Sequence, residues 1–67
     1  MYPYELFTKT AQGDYDSWGV TCKTFEVAVD IARECTTKNM RRFYVFFEKN
    51  PLGFVEIDGR YYSMEVR

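Results

Sequence analysis

The chain contains no histidine. That removes the side chain whose ordinary pKa lies nearest neutrality, the usual general base and the commonest metal ligand. Cysteine is scarce, with only Cys22 and Cys35, and two thiols without imidazole do not complete a tetrahedral zinc set. Glycine and proline are few, four and two residues, and no glycine-rich spacing of the kind that cradles phosphate is present. No nucleophile motif occurs either. The expectation is a protein that is not an enzyme, with no catalytic residues, no cofactor and no metal.

Charge of one sign is also lacking. Nine basic and ten acidic residues leave a net charge of −1, too little field to gather nucleic acid or an anionic membrane. No apolar run approaches the ~20 residues of a membrane span, so no membrane association is expected. The opening Met1-Tyr2-Pro3-Tyr4-Glu5 lacks the basic and apolar segments of a signal peptide, and the chain reads as a complete small frame. Cys22 and Cys35 flank the region read below as a helix. About thirteen residues at ~1.5 Å each hold them apart, so reduced thiols and a cytoplasmic location are expected.

What the chain does have is aromatic side chains, 19% of its 67 residues. A chain this short buries only about 60% of its unfolded surface, and rings supply core at low residue cost. The stretch that organises the rest is Arg41 to Glu48, with Phe43-Tyr44-Val45-Phe46-Phe47 at its centre. It is β-branched and aromatic, and it reads as a strand apolar on both faces. Phe43, Val45 and Phe47 fall on one face, Tyr44 and Phe46 on the other.

Taken in order, Tyr4–Thr10 reads as a strand, residues 11–16 as a turn and Ser17–Cys22 as a second strand. Thr24 is a helix N-cap and Glu26 complements the dipole. The helix should run from Phe25 to about Thr37, with Phe25, Ala28, Val29, Ala32 and Cys35 inward, widened by Val27 and Ile31, and Asn39 near its left-handed end. After the central strand, residues 49–53 read as a loop and Phe54–Ile57 as a strand. Asp58-Gly59 is the signal for a two-residue type I′ turn leading into Arg60–Val66. That register pairs Val55 with Tyr62 and puts Val55, Ile57, Tyr62, Met64 and Val66 on the helix side.

These elements predict a single two-layer α+β domain over residues 1–67, β-β-α-β-β-β. The sheet is mainly antiparallel and five-stranded, in order 2-1-3-4-5, with one helix on one face. The other face collects Phe7, Tyr44, Phe46, Phe54 and Tyr61, with the carboxylates Glu48, Glu56 and Glu65 around them. An uncovered patch of that kind marks an interaction site. The expected partner is a protein, a foreign chain or a second copy in a homodimer, and those eight residues are its candidate contacts. A short chain without chemistry is, by class-level analogy, the sort of accessory protein that viruses and mobile elements encode to inhibit or modulate a host protein in the host cytoplasm. The competing reading is a nucleic-acid-binding regulator. Residues 42–47 faintly echo an RNA-binding strand, but they lack both small positions of that motif, and the surround, which holds Arg42 and Lys9, also includes the carboxylates Glu48, Glu56 and Glu65. Asp14 to Gly19 begins like a calcium loop, yet Trp18 stands where an oxygen ligand is required.

Overall fold

The helix α1, Phe25–Asn39, is set by its caps and by small residues on its inner side. In the computed structural model, which describes residues 2–64, Thr24 is extended, and its hydroxyl accepts from the Val27 amide at 3.2 Å. Ala28, Val29, Ala32 and Thr36 are buried, so the helix backbone can lie close to large rings below it. Thr36 satisfies its hydroxyl on the Val55 carbonyl. The helix ends later than the sequence suggests. The Asn39 side chain donates to the Cys35 carbonyl at 2.9 Å and Asn39 stays helical. The left-handed position falls on Met40, with φ 54° and ψ 42°.

Five strands form one sheet: β1 (Tyr4–Lys9), β2 (Tyr15–Cys22), β3 (Phe43–Phe47), β4 (Asn50–Val55) and β5 (Tyr61–Ser63). Their order is β2-β1-β3-β4-β5, as the sequence predicts, and each neighbouring pair is antiparallel. The helix covers Leu6, Phe43, Val45 and Val55, all fully buried. On the β2 side, residues 18–20 stand opposite Leu6 alone. This bulge lets Trp18 reach edge-on to Phe43, with ring centroids 4.8 Å apart.

The β3–β4 and β4–β5 turns differ from expectation. The type I′ geometry occurs at Glu48-Lys49, where both φ are positive, 46° and 73°, and Phe47 pairs with Asn50 across them. β4 therefore starts at Asn50, inside the expected loop, and a bulge near Leu52 accommodates Pro51. Left-handed backbone costs an L-residue roughly 1–2 kcal/mol. Replacing Glu48-Lys49 by Asn-Gly, the pair preferred in this turn, should raise stability by about 1 kcal/mol after the glycine entropy cost. That corresponds to roughly 4–8 °C in a thermal melt of a domain this size. An unchanged or lower melting temperature would refute the turn assignment.

Asp58-Gly59 does not form a two-residue turn. The Glu56 amide donates to the Arg60 carbonyl and the Gly59 amide to the Glu56 carbonyl, at 2.9 and 2.8 Å. Only Gly59 of the pair is left-handed, with φ 89°. The loop is Ile57-Asp58-Gly59, a three-residue connection with glycine at its left-handed position. Two side chains hold it. The Asp58 carboxylate accepts from the Arg60 amide at 2.9 Å, and Arg33 Nε donates to the Gly59 carbonyl at 2.8 Å.

The additional loop residue shifts β5 by one position, so Val55 pairs with Tyr61 and Phe54 with Tyr62. A one-residue slip exchanges the faces of a whole strand. Tyr61 therefore lies on the helix side, edge-on to Phe25 at 5.3 Å, and Tyr62 takes the opposite face. Ile57, expected in the core, is exposed in the loop. Glu65 and Val66 lie outside the described residues.

Candidate functional site

The register of the sheet builds one continuous row across its second face. Ser17 pairs with Phe7, Phe7 with Tyr44, Tyr44 with Phe54 and Phe54 with Tyr62. Directly paired residues point the same way, so four rings stand side by side from β1 to β5. Tyr44–Phe54 and Phe54–Tyr62 are each 5.5 Å apart between centroids. Phe46, one pleat along, lies 4.2 Å from Phe7.

Tyr15 changes the character of this face. The sequence pattern places it in the turn, but it opens β2 opposite Lys9. Its ring leans over Tyr44 at 5.2 Å, Phe46 at 4.9 Å and Phe7 at 6.5 Å. Beneath it Tyr44 and Phe46 are only 5% and 6% exposed. The face expected to stand bare thus supplies much of its own cover, and these two rings belong to a second small core. Tyr62, 42% exposed, is the open ring, with Phe7 and Phe54 half-buried. The signal for Tyr15 was its two-residue spacing from Ser17, which continues the β2 alternation toward the turn.

Cations complete the surface. Lys9 Nζ lies 5.1 Å from the Tyr15 ring centre and 5.5 Å from that of Tyr44. The Arg42 guanidinium stacks 4.3 Å over Phe54 and grips Glu56 with two hydrogen bonds, at 3.0 and 2.5 Å. Those bonds hold the Glu56 carboxyl below its ordinary range, and they push Arg42 further up, with the Tyr44 hydroxyl contributing. Glu56, one of the expected partner contacts, is engaged within the chain by Arg42.

Of the other expected contacts, Tyr61 is on the wrong side of the sheet and Glu48 sits exposed in the β3–β4 turn. Glu65 lies outside the described residues. Phe7, Tyr44, Phe46 and Phe54 do come together.

No family model matches this chain, nor does any curated protein or solved structure.

Cys22 is buried, Cys35 is half-buried and both are free. Burial, more than any neighbouring charge, pushes both thiols above their ordinary value. A shallow surface indentation runs along α1 past Asp30, Arg33, Glu34, Thr37 and Lys38. It opens to solvent, with an Arg33–Asp30 ion pair at 3.3 Å. No group of three or more metal-ligating side chains occurs among the described residues. No helix there is long and apolar enough to cross a membrane.

Proposed function

We propose that this chain is a small non-enzymatic protein-binding module whose contact surface is the second face of the sheet. The observation that carries the reading is the interlocked aromatic row with Arg42 laid over Phe54. Tyrosine, other aromatics and arginine dominate binding energy where they are held in place before binding, since little entropy remains to be lost. Tyr15, Phe54, Tyr62 and Phe7 would touch the partner, with Tyr44 and Phe46 supporting them from below. By the class-level analogy made on the sequence, the role that suits such a module is an accessory protein, of a virus or mobile element, that modulates a host protein in the host cytoplasm.

Nucleic acid fits the surface less well. Stacking platforms need free cations to track phosphates, and Arg42 is already committed to Glu56. The test is capture from lysate of the native cell on immobilised chain, beside the variant carrying Phe54→Ser and Tyr62→Ser. Protein retained by the native chain, lost by the variant and little affected by 0.3 M salt or nuclease is the expected result. Retention of nucleic acid that falls steeply with salt would overturn the reading.

A further inference from the structure

We propose that the second face pairs with the same face of a second copy, about a two-fold axis running along the row Phe7–Tyr44–Phe54–Tyr62. This inference rests on the protein-binding reading and names the partner.

The argument is one of charge placement. On β1, Glu5, Phe7 and Lys9 alternate onto the second face, Glu5 opposite Phe46 and Phe7 opposite Tyr44. Glu5 and Lys9 therefore stand two residues either side of the aromatic row, about 13 Å apart along the strand. Neither forms an ion pair among the described residues. The ion pairs among the described residues are Arg33–Asp30 and Arg42–Glu56. Glu5 accepts a hydrogen bond from the Ser17 hydroxyl at 2.5 Å, and Lys9 rests over the rings of Tyr15 and Tyr44.

A two-fold axis along the row lays one sheet face to face on the other and reverses strand direction. Lys9 of each copy then lies over Glu5 of its mate, and Glu5 over Lys9. Phe7, Phe54 and Tyr62 meet their own counterparts at the axis, while Tyr44 lies buried beneath Tyr15 and supports them. The surface is thus self-complementary, as an isologous interface must be: opposite charges at the two ends, rings between. The net charge of −1 opposes the approach of two copies very little.

Charge reversal tests it, read by sedimentation equilibrium from micromolar to millimolar chain. The native chain should dimerise. Lys9→Glu and Glu5→Lys should each weaken the dimer by about tenfold or more, because each puts two like-charged contacts into it. The chain carrying both changes should return to within about threefold of native, since the pairs are re-formed with signs exchanged. Thermal melts of all four chains establish that the differences arise between folded proteins. Lys9→Gln and Glu5→Gln serve the same comparison if either reversal lowers the melting temperature. A native chain that stays monomeric at millimolar concentration overturns the proposal, and so does a double reversal that fails to restore what the single ones lose. A monomeric chain that still captures a protein, lost on Phe54→Ser with Tyr62→Ser, rejects the second copy but keeps the binding module. A chain that does neither rejects both.

Discussion

Phe43→Ser is expected to leave the chain largely unfolded at 25 °C. The ring is fully buried between the helix and the sheet, with Trp18 edge-on against it. Truncating a buried Phe to Ala costs about 3–5 kcal/mol. Serine adds a hydroxyl to a site built of apolar groups, for roughly 1–3 kcal/mol more. A domain this small has on the order of 5 kcal/mol in all. Far-UV circular dichroism through a thermal melt decides the matter, and a cooperative transition within a few degrees of native would refute this placement of the core. The same measurement separates rings on the second face. Phe46→Ser, which the sequence alone would score as a surface change, should cost about 3 kcal/mol, because Phe46 is packed under Tyr15 and against Phe7. Tyr62→Ser should cost no more than about 1 kcal/mol, since that ring is half in water.

Gly53→Ala should lower stability by about 3 kcal/mol, or roughly 12–24 °C in melting temperature. Gly53 lies in β4 with backbone that alanine can adopt, so conformational freedom is not the reason. The reason is space. A Cβ there would stand 2.6 Å from Tyr61 Cζ, and nearer still to the Tyr61 hydroxyl and the Tyr62 carbonyl oxygen. Tyr61 could swing aside only by giving up Phe25 and the covering it supplies at the helix side. The Tyr62 carbonyl could retreat only by opening the β4–β5 pairing. A ring laid across a strand glycine is a known device for filling the gap that the glycine leaves. Alanine at 53 that melts within 3 °C of native would mean that Tyr61 does not cross Gly53.

Which parts of this were legible in the residues follows the range of the physics. Thr24 as N-cap, the inward stripe Ala28–Val29–Ala32 and the alternation Phe43/Val45 against Tyr44/Phe46 depend on neighbours within a turn of helix or a pleat of strand. Each was readable and each is where it was expected. The same holds for the sheet order, which follows from element order and the connection rules. The candidate surface was half readable. Phe7, Tyr44, Phe46 and Phe54 share a face because β1, β3 and the end of β4 keep strict alternation.

The sequence by itself determined the element order, the helix and the side of the sheet on which β1 and β3 place each residue, since those follow from local periodicity. Only the tertiary structure decided which side β5 presents and whether the second face is open. Asp58-Gly59 is compatible with either a two- or a three-residue loop. The three-residue form is held by the Asp58 carboxylate on the Arg60 amide and by Arg33, twenty-six positions earlier, on the Gly59 carbonyl. The Arg33 contact depends on how the helix packs, and the three-residue loop sends Tyr61 to the helix and Tyr62 to the other face. Likewise Tyr15 covers Tyr44 and Phe46 because β2 pairs with β1 as far as Lys9. A ring from one edge of the sheet thereby buries residues on its central strand, and such burial depends on distances between strands that no local pattern encodes.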